Sequence, residues 1–391
     1  MSPPSIAEGD PGRPLRIALV VPGGVDESGE RRVIPVLLAL IERLARRHKV
    51  RVFALRQYDE PRDYRLLGAQ VTNLGRPKRL AALPGHTMGW RYRALATGLR
   101  EQPFDVVHAF WATGPGWLAT TAAARLGIPT VVSLAGDELV GLAEIGYGAQ
   151  LSWPTRQLVR GSLKRATVLT CASGPMSRLA ARHGREAFLV PLGMPLPHAA
   201  ATTSTVAHAA GPPRLLFVGS LNRVKDPFTL LAALRLVVDA EPEAMLDVVG
   251  EDTLRGEVQR RAAELGLGAN ARFHGFIPHA QLAPFYRSAH MLLVTSRHEA
   301  GPVVALEAAA FGVPVVGTRV GHLADGAGDW AETVEVGDAG GLAATVLALG
   351  HDPERRARLG AAALAWARAN GADVTAQRFE TLYRALTPSS R

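Results

Sequence analysis

The chain has 391 residues, 47% hydrophobic and 20% charged, which is too long for one ordinary core and excludes a disordered or fibrous protein. A single cysteine, Cys171, excludes an intrachain disulfide and a cysteine-rich zinc site. The net charge of +9 is uneven: residues 1–198 hold 26 Lys and Arg against 15 Asp and Glu, and residues 199–391 hold 18 against 20.

Residues 1–14 are Pro-rich, carry Glu8 and Asp10, and have no basic run followed by an apolar one. They read as a disordered tail without a signal peptide. Arg16–Val21 reads as a strand that ends in Pro22, Gly23 and Gly24. Ile34, Leu37, Leu38, Ile41 and Leu44 share one side of a helix expected over 34–48. Further strands are expected at 50–55, 105–108, 130–134, 167–170 and 188–190. A helix over 116–126 is stopped by Gly127 and Pro129. Residues 198–213 are small, polar and aperiodic, and read as a linker.

The alternation then restarts. Strands are expected at 215–218, 244–249, 272–276, 291–295 and 313–317. Helices are expected at 228–239, 254–265, 282–288, 302–311, 339–349, 353–370 and 374–386. This order implies an α/β protein of two doubly wound Rossmann-like domains, 15–197 and 214–372, facing across a cleft. Residues 373–391 read as a C-terminal helix packing back on the first domain. None of the apolar runs approaches the ~18 residues of a membrane-spanning helix.

Two segments concentrate polar chemistry. After the strand at 215–218, Gly219 and Ser220 open a turn carrying Arg223 and Lys225, and Pro227 starts a helix. Amides at a helix start beside two cations suit a diphosphate, although a solvated basic turn has the same composition. After the strand at 291–295, Glu299 and Glu307 stand eight residues apart across Gly301, Pro302 and Val303. With Pro302 as the first helical residue, Glu307 lies inside the helix among apolar neighbours, where an unpaired carboxylate is costly. Both carboxylates are suited to accept hydrogen bonds from sugar hydroxyls.

The stretch from Ser296 to Thr318 resembles the signature of two glutamates separated by seven residues in retaining glycosyltransferases of the GT-B fold, family 4, the glycosyl transferases group 1. The resemblance extends over nearly the whole chain, through Gly23 and Gly24, the segment ending at His108, Ala172–Ala180, Phe188–Gly193 and Phe217–Asp226. It implies transfer of a sugar from a nucleotide-diphosphate-sugar, with UDP or GDP as the nucleotide, to a glycan or lipid-linked acceptor. It implies no metal and no other cofactor, and a place in polysaccharide or glycolipid biosynthesis.

Residue by residue, the resemblance assigns the diphosphate to Lys225 and Arg223, the ribose to Glu307 and the donor sugar to Glu299. Gly219, Ser220, Gly301 and Val303 complete the donor site, and Glu299, Lys225 and Arg223 form the catalytic set. Gly23 and Gly24 would let the first loop approach phosphate and acceptor. The sequence departs from the family at Ala300-Gly301-Pro302, at Leu192-Gly193-Met194-Pro195 and at Ala135-Gly136-Asp137, where the family carries a histidine. His108 and Asp137 are the candidates to replace it. The alternatives are a nucleotide-sugar 2-epimerase and a non-catalytic nucleotide-sugar-binding protein.

The remaining histidines, His274, His279, His290 and His298, lack metal-ligand spacing and read as surface or hydrogen-bonded groups. Cys171 reads as a small buried residue. Trp90, Trp117 and Trp153 read as core or cleft wall, and Trp111 as a candidate stacking surface for an acceptor. No P-loop, dinucleotide fingerprint or nucleic-acid signature is present. The basic first half is expected to face the acceptor. Arg31, Arg32, Arg43, Arg46, Arg47 and Lys49, with Arg76, Lys78, Arg79, Arg91 and Arg93, would contact an anionic membrane from the cytoplasmic side; the alternative is a soluble acceptor, with these residues serving only as solvated surface.

Overall fold

The computed structural model describes residues 12–76, 86–196 and 211–387. Most of the 198–213 segment, the 1–11 tail, Lys78 and Arg79 lie outside them. The chain divides into two units, Met1–Gly193 with Ala372–Arg391, and Met194–Gly371.

Among the described residues, the first unit holds β1 (Arg16–Val21), β2 (Lys49–Ala54), β3 (Arg62–Leu66), β4 (Ala69–Asn73), β5 (Val106–Phe110), β6 (Thr130–Leu134), β7 (Val168–Cys171) and β8 (Phe188–Leu189). They form one sheet in the order β3-β4-β2-β1-β5-β6-β7-β8. All pairs are parallel except β3 with β4. β5 and β6 are buried at every residue, as strands covered on both faces must be. The helices are α1 (Pro35–Ala45), α2 (His86–Arg100), α3 (Gly114–Ala124), α4 (Trp153–Arg165) and α5 (Gly174–Arg182). Pro35 opens α1, where its missing N–H costs nothing. The last helix of the chain, Ala372–Leu386, also belongs to this unit. Its Phe379 and Tyr383 join the core formed by Ile17, Leu19, Leu37 and Ile41.

The second unit holds β9 (Arg214–Val218), β10 (Met245–Val249), β11 (Ala271–Gly275), β12 (Met291–Val294), β13 (Val315–Thr318) and β14 (Ala331–Val334). Their order, β11-β10-β9-β12-β13-β14, is parallel throughout. Helices α6 (Pro227–Ala240), α7 (Glu257–Glu264), α8 (Ala283–Ser288), α9 (Val303–Ala310), α10 (Gly321–Asp325), α11 (Ala339–Gly350) and α12 (Pro353–Ala369) complete it, and the Ala372–Leu386 helix is α13. The chain runs outward in one direction from β9 to β10 and β11, and in the other from β12 to β13 and β14. The reversal lies between β9 and β12. A crevice forms at such a point, outside the carboxyl ends of the two strands.

Candidate active site

The loops leaving β9 and β12 meet at that reversal. At the end of β9, Gly219 donates its N–H to the Val249 carbonyl (2.9 Å). This brings the backbone of Gly219 against Gly250, where a Cβ would stand 1.9 Å from the Gly219 carbonyl oxygen. Only glycine fits at 250, whose φ is also +150°. The turn continues through half-buried Ser220 to exposed Arg223, then to Lys225 and Asp226. Asn222 Oδ1 accepts from the Lys225 N–H (3.0 Å). Asp226 adopts a left-handed φ of 47° and caps α6, accepting from the Thr229 N–H (3.2 Å) and hydroxyl (2.9 Å).

Three contacts tie the β12 loop to this turn. Thr295 Oγ1 donates to the Lys225 carbonyl (2.7 Å), the Arg297 N–H donates to the Val224 carbonyl (2.7 Å), and the Arg297 guanidinium pairs with Asp226 (3.2 Å). The result places the Lys225 ammonium 2.5 Å from Glu299 Oε1, which also accepts from the Ser296 hydroxyl (2.7 Å). The Lys225 and Glu299 side chains are 24% and 14% exposed, so solvent reaches both. Gly301 and Val303, which follow Glu299 in the chain, are half-buried.

Pro302 is extended (ψ 108°) and precedes the helix instead of opening it, so α9 begins at Val303. This corrects the expectation that Pro302 is the first helical residue. Glu307 is therefore the fifth residue of α9, a little over one turn in.

Glu307 is buried at 8% exposure but has partners. His279 Nε2 lies 2.8 Å from its Oε1, and the Tyr286 hydroxyl donates to its Oε2 at 2.5 Å. Tyr286 comes from α8, where its ring stacks on Phe311 (5.4 Å between centroids). The hydrogen bond to Glu307 holds His279 above its usual pKa, so the imidazolium is favoured. Burial, with the adjacent Glu307 charge, drives the Tyr286 phenol well above its usual value and keeps it a donor. Sequence reasoning placed His279 among the incidental hydrogen-bonded histidines and passed over Tyr286 and Ser296. The one available signal was the cost of leaving Glu307 unpaired among apolar residues.

The acceptor-side candidates lie in the first unit. Gly24 has φ +78°, and a Cβ there would stand 2.4 Å from Ile34 Cδ1. Its glycine is thus required by the loop itself. At Gly23 a Cβ would stand 3.2 Å from the Arg56 carbonyl. His108 does not belong to an acceptor loop. It is 0% exposed, with its ring nitrogens 2.6 Å from the Tyr383 hydroxyl and 2.7 Å from Ser133 Oγ. Burial lowers its pKa to about 3, so it is a neutral core residue. The physical reason is that β5 runs two residues beyond it, to Phe110, and turns the imidazole toward α13.

Asp137 is half-buried, and the neighbouring Glu138 is the structural acid. Glu138 accepts from the N–H groups of Ala112 (3.2 Å), Ala135 (3.1 Å) and Gly136 (2.8 Å). It braces the turn after β6 against Trp111, whose φ of 69° is uncommon for a bulky residue. Cys171 is buried, as expected. His274 pairs with Asp247 (2.6 Å), and His290 Nδ1 accepts from the Arg214 N–H (3.3 Å). Among the described residues, no group of three or more His, Cys, Asp or Glu could hold a metal ion.

The family model for glycosyl transferases group 1 matches residues 203–366, and that for a glycosyl transferase 4-like domain matches residues 33–193. The D-inositol 3-phosphate glycosyltransferase of Segniliparus rotundus is 32% identical over 299 residues, 72% of this chain and 66% of that protein. The enzyme of the same name from Thermomonospora curvata is 36% identical over 180 residues, 43% of this chain and 42% of that protein. The matched length is therefore less than half of one relative and about two thirds of the other.

Among solved structures, sucrose-phosphate synthase from Thermosynechococcus elongatus aligns with a TM-score of 0.75 at 20% identity, covering 95% of this chain and 99% of that one. Anabaena HepE, solved in complex with UDP-glucose, gives a TM-score of 0.71 at 17% identity, covering 95% and 100%. These two likenesses are of fold. With the two family models matching successive halves of the sequence, the chain belongs to the group 1 glycosyltransferases and has their GT-B fold.

Proposed function

We propose that the protein moves a sugar from a nucleoside-diphosphate-sugar to a glycan or lipid-linked acceptor, with retention of anomeric configuration. The observation that carries this reading is the Lys225–Glu299–Ser296 cluster at the strand-order reversal of the second unit, with Glu307 on the helix that follows the same loop. Support for a uridine nucleotide comes from HepE, a structural relative solved with UDP-glucose.

The remaining hydrogen-bonding capacity of each side chain fits its role. Lys225 spends one of three ammonium donors on Glu299 and keeps two for phosphate oxygens. Arg223 is exposed and adds a guanidinium suited to bidentate phosphate contact. Each Glu307 oxygen accepts once, from His279 or Tyr286, and retains a lone pair for a ribose hydroxyl. Glu299, held by Ser296 and Lys225, is suited to accept from donor-sugar hydroxyls.

In the step itself, the bond from the anomeric carbon to the leaving phosphate breaks, and a bond to the acceptor oxygen forms on the same face. The acceptor proton passes to the departing phosphate oxygen. Lys225 and Arg223 stabilise the charge that develops on that phosphate. Glu299 positions the sugar and is not a nucleophile.

The test is incubation with α-configured UDP- and GDP-sugars and candidate acceptors, followed by proton NMR of the product's anomeric centre. A product with the α configuration supports the proposal. A β product contradicts retention, and a 2-epimer formed without acceptor favours the isomerase.

A further inference from the structure

Between Ile145 and Arg185 the sequence holds seven Lys and Arg and no Asp or Glu. It is one of three acid-free basic stretches in residues 1–198, beside 43–58 with six Lys and Arg and 64–100 with seven. α4 runs through it and displays the charge in order. Arg156, Arg160 and Lys164 follow one another at intervals of four residues, so they share one helix face. All three are exposed, and like charges at this spacing weaken a helix. The pattern therefore does not serve the stability of α4. Trp153 begins the same stripe, 65% exposed, and Leu151 precedes it at 44%. These findings correct the expectation that Trp153 is core or cleft wall. The stripe, with Gln157, His183 and Arg185, lines an open groove of about 640 Å³.

Several of the basic residues singled out from the sequence are paired with carboxylates. Arg32 pairs with Asp26, Arg43 with Glu42 and Asp373, Arg46 with Glu42, and Arg47 with Glu380. Arg91 is largely withdrawn from solvent, and its pKa is lowered by burial. Among the described residues, none of Arg156, Arg160 and Lys164 has a carboxylate partner. Arg31, Lys49, Arg76 and Arg93 are exposed as well but are scattered over separate elements, whereas on α4 three exposed cations line up on one helix face.

We propose that this face of α4 docks on an anionic phospholipid surface. The three cations are spread over about 12 Å of helix, a spacing that fits an array of headgroups better than one phosphate. Their long stems can lie along the interface while the charged ends reach the headgroups. At the helix start, Trp153 and Leu151 supply the amphipathic ring and the apolar group that settle at the boundary between headgroups and acyl chains. The inference does not depend on sugar transfer, because no residue of the Lys225–Glu299–Glu307 cluster lies on α4.

The experiment is co-sedimentation of the full chain with vesicles of phosphatidylcholine alone and of equimolar phosphatidylcholine and phosphatidylglycerol. The parent is expected to bind only the anionic vesicles, and less as salt rises. Combining Arg156→Ser, Arg160→Ser and Lys164→Ser should weaken binding on the order of a hundredfold. Combining Arg46→Ser, Arg355→Ser and Arg358→Ser removes the same charge from paired surface arginines and should leave binding within a few-fold. Indole emission should shift to shorter wavelength on vesicles in the parent and not in Trp153→Phe. UDP titration of each variant reports whether the second unit is intact.

Three results would overturn the proposal. One is a parent that ignores anionic vesicles at low salt. Another is equal loss in both triple variants, which reduces the effect to net charge. The third is preferential capture of single-stranded RNA that vesicles fail to compete away, which would identify a nucleic-acid surface instead.

Discussion

Glu299→Gln separates the two roles assigned to the Lys225–Glu299 pair. The ammonium and carboxylate stand 2.5 Å apart, which at an effective dielectric of 20 is about 7 kcal/mol of gross attraction. Both side chains keep some solvent contact, so desolvation and screening reduce the net worth of the pair to about 1–2 kcal/mol. A diphosphate bound at the two remaining ammonium donors still feels the negative charge of Glu299 beside it. Removing the carboxylate charge should therefore hold nucleotide affinity or tighten it by up to about tenfold. The donor sugar, however, loses a charged acceptor worth about 1.5–3 kcal/mol, so kcat/KM should fall roughly ten- to hundredfold. Calorimetric titration with UDP, beside initial rates with the sugar conjugate, reads both quantities. Tenfold weaker UDP binding with unchanged turnover would refute the assignment.

Tyr286→Phe removes the donor to the buried Glu307 Oε2. It should cost about 1–3 kcal/mol in urea unfolding and weaken nucleotide binding several-fold. His279 is held above its usual 6.5 by Glu307, so its contribution to stability is full below that value and fades as pH rises through the raised pKa. The difference in thermal midpoint between parent and His279→Gln should accordingly be larger at acidic pH than at alkaline pH, and a difference that grows with pH would count against the pair. Gly250→Ala forces a Cβ to 1.9 Å from the Gly219 carbonyl and should destabilise by about 3 kcal/mol or more, whereas Gly268→Ala, with nothing within 4 Å, should unfold like the parent.

The doubly wound pattern was legible because buried parallel strands are written as continuous apolar runs. Arg16–Val21 and Thr130–Leu134 were read with the limits the structure has. β3 was missed because Arg62, Asp63 and Arg65 face solvent, leaving only Tyr64 and Leu66 inward. α4 was missed because its outer face is polar and only Val159, Ser162 and Leu163 are buried.

At the site, Lys225, Glu299 and Glu307 stood out by spacing and by the cost of a carboxylate among alanines. His279 and Tyr286 lie 28 and 21 residues before Glu307, in the connection from β11 to β12, and only the packing of that connection on α9 brings them onto it. No local pattern records that approach. His108 was misassigned because the end of β5 was set too early. Two further strand residues decide that the imidazole faces Tyr383.

The central claim is that the second unit binds a nucleoside diphosphate through Lys225. Titration of the purified protein with UDP, GDP and ADP, without added metal, tests it directly. Saturable binding of one of them, weakened at least tenfold in Lys225→Ala, is the expected result. Binding of none of the three, or equal affinity in parent and Lys225→Ala, would contradict the account.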